Sequence, residues 1–273
     1  MRHVLLALLA PLVFAPSAAA QDPFEIQVYE WETVPKGRWN LETHLNFVGN
    51  GTKHPDGTVA ATNHQFHLTF ELTRGLTGHF ETAGYLVLAK RPDSGLDFVG
   101  VRLRPRASVP KEWGWPVDVS LSLEFGYWRE AYEENEWTLE VRPVLEKKFD
   151  RWQIDLNPVV GRALKGPGTA DGWDFEPSAR IAYEAADSLD LSVEYYGGIG
   201  PFGNVLPKTE PSHQIYPGGD WKISDSVVLI SALASRSRTA APTSSGSCGS
   251  AFSSDHPETR FRRSGRLVLR SRG

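Results

Sequence analysis

Residues Val117 to Trp128 read VDVSLSLEFGYW, and this stretch decides the fold class. Alternate residues from Val117 to Tyr127 are apolar, whereas those between them are aspartate, serine, serine, glutamate and glycine. Successive side chains of a β-strand point to opposite faces, so the stretch predicts a strand with one apolar and one polar face. Such a strand is longer than the average globular strand of about 5–6 residues and reaches the roughly 9–11 residues that cross a bilayer. We therefore expect the apolar face to meet lipid and the polar face to line a lumen.

The same alternation recurs along most of the chain. Clear versions run over 39–47, 65–72, 137–146, 152–157, 173–184 and 189–195, and weaker ones near 76–90, 96–107, 212–223 and from 226 onward. The links between them alternate between short and long, as in outer-membrane barrels, although SVPKEWGWP is a long link on the short side. Backbone groups in lipid must be hydrogen-bonded, so the strands have to close on themselves. These segments predict an all-β fold, an antiparallel up-and-down transmembrane β-barrel of about 12 strands, with the last strand not evident.

The first residues, MRHVLLALLAPLVFAPSAAAQDP, are ordered like a secretory signal peptide. Arg2 and His3 precede an apolar run to about Phe14, and small residues precede an expected cleavage after Ala20. The apolar run is too short for a membrane-spanning helix, which needs about 20 residues. We expect an exported protein with a signal peptide at 1–20, an N-terminal periplasmic segment at 21–35, the barrel at 36–232 and an irregular, disordered tail at 233–273. A second interpretation has the segment before the first strand fold toward the lumen.

The composition agrees with an exported β protein. The 273 residues include 25 Gly, 19 Pro, 9 Trp and one Cys, so no disulfide within the chain stabilises the fold. The net charge of -4 favours no nucleic-acid partner. The tryptophans near segment ends would form interfacial girdles in a membrane barrel; they are Trp39, Trp128, Trp137, Trp152, Trp173 and Trp221. A soluble β-sandwich with these rings in its core is the competing fold, and the strand length favours the membrane.

The chain changes character after about Ile230. The residues that follow are rich in serine and arginine, lack sustained alternation and end in Arg-Ser-Arg-Gly, whereas an outer-membrane barrel usually ends in a strand with a terminal aromatic residue. One interpretation is a disordered tail. The other is a shift of the reading frame, because a back-translation of Thr239 to Asp255 permits a last strand that ends in phenylalanine. That strand would bring the count to twelve, with both termini periplasmic.

Charged residues of both signs occupy the polar faces of the predicted strands. The stretch RLRPR places three arginines on one face, and neighbouring strands offer partners of opposite sign. The candidate lumen residues are Arg102, Arg104, Arg106, Asp118, Glu124, Glu140 and Arg142. One interpretation is a charged constriction that selects solutes, and the other is a set of salt bridges that fills a narrow barrel. We favour the salt bridges for most of these residues and keep the arginine row as the best candidate for a selectivity element.

The histidines and serines do not predict a metal site or a catalytic centre. His64 and His67 fall on opposite faces of a strand, although His44 and His67 could meet across adjacent strands. We expect these histidines to be structural or solvated. The strand serines face inward, and no outward serine stands beside an outward histidine as a lipid-cleaving barrel would need. We therefore expect no catalytic residue, no metal and no cofactor.

Several stretches resemble a family of bacterial outer-membrane barrels. They are EIQVYEWETVPKGRWNLETHLNFV, QFHLTFELTRGLTGHFETAGYL, KKFDRWQIDLNPVVGRAL, GWDFEPSARIAYE, LSVEYYGGIGP and HQIYPGGDWKI. The family consists of uncharacterised, transporter-like proteins and is similar to outer-membrane proteins assigned to the phenol-degradation meta pathway. The resemblance covers about residues 22–230 and implies a Gram-negative outer-membrane location and passage of small organic molecules. It transfers no catalytic residue, and the tail departs from the family pattern.

The sequence therefore predicts a porin-like passive channel or transporter for small solutes. Its expected partners are outer-membrane lipid and a small-molecule solute, and its oligomeric state stays open. The alternatives are an outer-membrane enzyme that modifies lipid and a structural or ligand-holding barrel with a plugged lumen.

Overall fold

The computed structural model describes residues 24–49, 51–202, 212–224, 227–233, 235–237 and 264–272. Within these ranges the chain consists of β-strands joined by turns and two short 3-10 helices, Lys111–Trp113 and Pro167–Ala170. No helix among them has the length and apolarity that a membrane-spanning helix needs. The predicted signal peptide lies outside the described residues.

Twelve long strands and two short ones make up a single antiparallel sheet in the described ranges. The strands are β1 Trp39–Val48, β2 Phe66–Gly75, β3 Phe80–Lys90, β4 Leu96–Ser108, β5 Asp118–Trp128, β6 Trp137–Phe149, β7 Trp152–Lys165, β8 Asp174–Ala186, β9 Leu189–Gly198, β10 Gly200–Pro201, β11 Ser212–Ser224, β12 Val227–Leu233, β13 Ser235–Ser237 and β14 Ser264–Arg272. Each of the eleven segments found by alternation is a strand, which confirms the all-β prediction.

The pairing follows the chain and returns to its start. Strands β1 to β9 pair successively as antiparallel neighbours. From β9 the ladder continues to β11, then to β12 and to β14, and β14 pairs with β1. The short strands β10 and β13 add to β8 and β11. Each of the twelve long strands therefore has a hydrogen-bonded neighbour on both sides, which is the up-and-down barrel topology.

Burial alternates along the strands as the sequence predicts. In β2, Thr69, Glu71 and Thr73 are at most 1% exposed, whereas Phe70 and Leu72 are 36% and 47% exposed. In β5 the serines and Glu124 are buried, and Leu121 and Phe125 face outward. An inside made of carboxylates, hydroxyls and guanidiniums under an apolar outside is the inverse of a soluble β-sandwich. This distribution confirms the transmembrane barrel class.

The aromatic girdle forms with one exception among the predicted tryptophans. Four rings project outward near strand ends, namely Trp39, Trp137, Trp152 and Trp221. Trp173 is half-buried just before β8. Trp128 faces inward instead, where its indole nitrogen donates a hydrogen bond to Thr138 Oγ1 at 2.9 Å. The prediction for Trp128 was wrong because Trp128 continues the inward phase of β5, which Glu124 and Gly126 share.

Residues 24–35, here called the N-terminal strap, run through the interior of the strand ring. Thr69 of β2 donates a hydrogen bond to the carbonyl of Phe24, whereas the amide of Tyr29 donates to Asn157 of β7, on another part of the wall. The amide of Val34 donates to Glu81 at the start of β3. The strap is therefore not a separate periplasmic segment, as one interpretation had it. It folds toward the lumen, because the inward polar side chains supply partners for its backbone.

The strap presents its apolar side chains to two inner clusters. Phe24 packs with Tyr85, Trp128 and other apolar residues of β3 to β5, and Ile26 and Val28 pack with Tyr196 and Tyr216 of β9 and β11. The first residue of the strap and the residues that follow it thus pack against different parts of the wall.

The predicted irregular tail contributes to the sheet at one place. Strand β14, Ser264–Arg272, lies between β12 and β1 and supplies the twelfth long strand. The expectation of irregular structure throughout 233–273 is corrected there: the edges of β1 and β12 each offer a row of backbone groups that an added strand satisfies. Residues 239–255, on which the frameshift interpretation rests, lie outside the described residues.

Candidate functional site in the lumen

The arginine row of β4 lies on the inner face of the barrel. Arg102, Arg104 and Arg106 are 4–6% exposed, whereas the intervening Val101 and Leu103 point outward. The period-2 geometry of the strand brings the three guanidiniums into the lumen in a line. The structure thus places the predicted row where the sequence put it, and it also supplies a partner for each arginine.

Arg102 bridges the strap and the neighbouring strand. Its Nη1 lies 2.8 Å from Glu25 Oε2 of the strap and 2.9 Å from Glu124 Oε1 of β5. Its guanidinium also lies over the Trp128 ring, 4.6 Å from the centroid. The predicted pairing between β4 and β5 therefore exists, and the strap adds a second carboxylate that sequence reasoning missed.

Arg104 pairs with the two strands that precede it. One guanidinium nitrogen donates to Glu71 of β2, and the other donates to Glu81 of β3 at 3.0 Å. Both carboxylates are nearly fully buried. Alternation places both glutamates on the inward face of their strands, so the sequence could have suggested them. It gave no reason to choose them over other inward carboxylates.

Arg106 ties the strap to the wall at one end of the row. It donates to the backbone carbonyl of Glu30 and, at 3.3–3.4 Å, to Ser120 Oγ of β5. Glu81 Oε1 lies 3.7 Å from its Nη1. Each of the three arginines therefore donates at least one hydrogen bond and lies within ion-pair distance of at least one carboxylate.

The remaining predicted residues divide between the lumen and its rim. Arg142 of β6 pairs with Glu140 at 2.7 Å and donates to the carbonyl of Gln27 at 3.0 Å. Asp118 lies at the start of β5, where the exposed Lys111 is its partner at 3.3 Å. The arginine row, Glu124 and Arg142 are thus joined through the strap, and Asp118 stands apart from them.

A second ion-pair cluster was not predicted. Arg180 of β8 contacts Asp155 of β7 at 3.3 Å and Asp220 of β11 at 2.6 Å, and its Nη1 lies 3.3 Å from Glu30 of the strap. Asp155 and Arg180 lie opposite each other in the register of β7 and β8, which are successive in the chain. Alternation marks these residues as inward, but only the tertiary structure brings Asp220 of β11 and Glu30 of the strap to the same guanidinium.

Tyr29 of the strap lies at the centre of the polar interior. Its hydroxyl is 2.8 Å from Glu25 Oε1 and 3.0 Å from the hydroxyl of Tyr85. The guanidinium of Arg142 lies over its ring, 4.1 Å from the centroid. The Tyr29 ring thus occupies the space that an open lumen would leave to water.

The three histidines weighed in the sequence have different surroundings. His64 is exposed just before β2. His67 lies inside, where it bonds Gln65 at 2.9 Å and its ring lies 4.4 Å from that of Phe24. His44 of β1 is fully buried, with Glu71 Oε2 at 3.7 Å from its Nε2. The two inward histidines, which could have met across adjacent strands, are not paired in register, because His44 pairs with Thr69 and His67 with Asn46.

A cavity of about 490 Å³ adjoins the arginine row where β1 and β3 begin. Its lining combines the strap with the inner faces of β1 to β4, including Asn40, Thr73 and Arg106 near the strand ends that short turns connect. Carboxylates and guanidiniums both line it, so its wall is polar and carries both signs of charge.

Comparisons with known proteins give the fold. No family model matches the chain, and no curated protein matches it either. The COG4313 outer membrane channel from Pseudomonas putida F1 superposes with a TM-score of 0.57 at 10% identity, over 91% of this chain and 100% of that one. A KdgM porin gives a TM-score of 0.51 at 8% identity, over 85% of this chain and 98% of the porin. The chain is similar in fold to outer-membrane β-barrel channels.

Proposed function

We propose that this protein is a porin-like outer-membrane channel for the passive passage of small solutes, with small organic molecules as the first class to test. The observation that carries the proposal is the ring of twelve strands with an apolar outside and a charged inside. An apolar outer band suits hydrocarbon, and a polar interior suits water and polar solutes. The two solved structures described above are an outer-membrane channel and a porin, which favours transport over a lipid-modifying enzyme.

The strap sets the width of the proposed pathway. It fills the middle of the lumen with Tyr29 and its partners, so solutes pass between the strap and the wall or after the strap shifts. The cavity of about 490 Å³ beside the arginine row provides one vestibule of that pathway. A channel of this type conducts in small steps.

The arginine row is the proposed selectivity element. Charged rings and rows in a narrow pore select solutes by charge, and Arg104 and Arg106 line the vestibule together with glutamates. Most of these arginines are paired with glutamates. The selectivity of the pathway therefore depends on the net charge of the arginines and glutamates together. Removal of one guanidinium leaves an excess of carboxylate and increases the preference for cations.

Planar-bilayer recording of the purified full chain tests the proposal. We expect discrete conductance steps, and in a salt gradient we expect Arg104→Gln to shift the reversal potential toward cation preference. Leu103→Ala is the matched control, because Leu103 is the outward neighbour of Arg104 on the same strand and is 55% exposed. It should leave the reversal potential unchanged.

Two results would count against the channel. Folded protein that is inserted in the bilayer but passes no current with any solute would favour the plugged, structural barrel. Recovery of the expressed protein in the aqueous fraction, without the gel shift that heating gives a folded membrane barrel, would contradict the outer-membrane location itself.

A further inference from the structure

His44 is a buried histidine whose ring nitrogens have no hydrogen-bond partner among the described residues. It lies on the inner face of β1 and is 0% exposed, and neither Nδ1 nor Nε2 makes a hydrogen bond to a side chain or backbone group that the structure describes. Burial of a polar group without a hydrogen bond costs on the order of 1–3 kcal/mol. The imidazole therefore sits where a further ligand would be stabilising.

Two carboxylates converge with that imidazole. Glu71 comes from β2, next to β1, and Glu25 comes from the strap. One ligand atom from each of Glu25, His44 and Glu71 lies within 4.8 Å of the other two, and all three residues are buried. His44 Nε2 lies 3.7 Å from Glu71 Oε2.

We propose that Glu25, His44 and Glu71 bind a divalent transition-metal ion of the zinc type, which fastens the strap to the barrel wall. Zinc takes histidine nitrogen and carboxylate oxygen at about 2.0–2.2 Å, and three protein ligands leave a fourth position for water. Tetrahedral bonds of that length place ligand atoms about 3.4 Å apart. The 3.7 Å between the imidazole and Glu71 is already close to this value.

The neighbouring arginines do not prevent this arrangement, because each has a second carboxylate. Arg102 keeps Glu124 at 2.9 Å when Glu25 turns toward the metal. Arg104 likewise keeps Glu81 at 3.0 Å when Glu71 does so. Within the part of the chain that the structure describes, these ion pairs join four carboxylates to three arginines, and the net negative charge of this set favours a bound cation.

The ion has a route to the site. Glu71 and Arg104 line the cavity of about 490 Å³, and Glu42, two residues before His44 on the same face, lines it as well. A hydrated cation that enters this vestibule meets carboxylates before it reaches the imidazole. His67 has no such role, since it bonds Gln65 and packs on Phe24.

Zinc binding to the full chain tests the site. The protein is refolded in detergent, treated with EDTA and dialysed against Zn²⁺, with Cys248→Ser in every sample so that the single thiol does not bind the metal. We expect one tightly bound zinc per chain. His44→Gln and Glu71→Gln should each weaken binding by at least about 10-fold, whereas His67→Gln, the matched buried histidine, should bind like the parent.

A second readout reports on the strap. Zinc should slow amide hydrogen exchange of residues 24–35 in the parent protein and leave it unchanged in His44→Gln. If His44→Gln fails to fold, Glu25→Gln carries the test, because that change lies in the strap and leaves the wall intact. Equal zinc binding by the parent and by folded His44→Gln or Glu25→Gln, or no zinc binding at all, would overturn the proposal. The measurement does not depend on conduction, so its outcome is separate from that of the channel.

Discussion

Arg102 of the barrel wall lies 2.8 Å from Glu25 of the strap, and both side chains are almost completely buried. The pair joins residues 77 positions apart in the sequence. The same guanidinium nitrogen, Nη1, also lies 2.9 Å from Glu124 of the wall. The interior of this barrel is thus filled by contacts between the strap and the strands, and those contacts make the first predictions.

Glu25→Gln should destabilise the folded protein by about 1–3 kcal/mol, because the buried guanidinium loses a charged partner. The measurement is urea unfolding in detergent followed by tryptophan fluorescence, with EDTA present to exclude metal effects. Glu32→Gln changes an exposed glutamate of the same strap and should change stability by no more than about 0.5 kcal/mol. In a double-mutant cycle with Arg102→Gln, a coupling energy near zero would show that the pair does not hold the strap.

Gly126→Ala should disrupt a packed contact inside the barrel. A Cβ at this position would lie 2.6 Å from Thr138 Oγ1 and 2.7 Å from the Trp128 indole nitrogen, so it would break the hydrogen bond between them. We expect a loss of about 1–3 kcal/mol, as for other overpacked sites. Gly84→Ala is the matched control on β3, because its Cβ would meet nothing within 4 Å. Similar unfolding midpoints for the two variants would contradict the prediction.

A charged residue on the outer face should destabilise the folded protein more the deeper it lies in the bilayer. Leu103 lies near the middle of β4 and Leu96 at its end, and they are 55% and 59% exposed. In a bilayer, Leu103→Arg should cost about 2–4 kcal/mol and Leu96→Arg about 0–1 kcal/mol. Reversible unfolding from lipid vesicles measures both. A soluble protein would tolerate the two changes alike, so equal effects would contradict the lipid-facing assignment.

Tyr132, in the link between β5 and β6, should ionise at a higher pH than an ordinary tyrosine. Burial, together with its hydrogen bond to Asp97 at 2.8 Å, raises the pKa of its hydroxyl to about 12. Because the folded state holds this proton more tightly than the unfolded state, whose tyrosine pKa is about 10, the contribution to stability is present below pH 10 and is lost as the pH rises toward 12. The tyrosinate absorbance of the parent minus that of Tyr132→Phe gives the titration. A midpoint near 10 in that difference would refute the prediction.

Much of the wall was predictable because its signal is local. Alternation over Trp39–Val48, Asp118–Trp128 and the other long strands assigned each side chain to lipid or lumen, and the burial pattern agrees with that assignment. The arginine row followed from the same rule. The inward direction of Trp128 also follows from it, although its place at a strand end suggested the girdle.

The partners inside the barrel could not be predicted in the same way. Segment 24–35 has too few residues for its alternation to distinguish a strand in the wall from a strap in the lumen, and its preference for the interior depends on acceptors and donors from β2 to β8. Strand β14 was missed because its pairing depends on the free edges of β1 and β12. The cluster of Glu25, His44 and Glu71 needs the strap in place before it exists.

The amino-acid sequence by itself determined which face of each strand meets lipid, because the period of two is a property of the extended backbone and needs no neighbour. Only the tertiary structure decided which inward charges meet, since ion pairs such as Arg180 with Asp220 of β11 and with Glu30 of the strap join elements that are not neighbours in the chain. Burial in a low-dielectric interior makes an isolated charge costly. The inward side chains and the strap must therefore supply ion-pair and hydrogen-bond partners for one another, and these partners cannot be derived from any single segment.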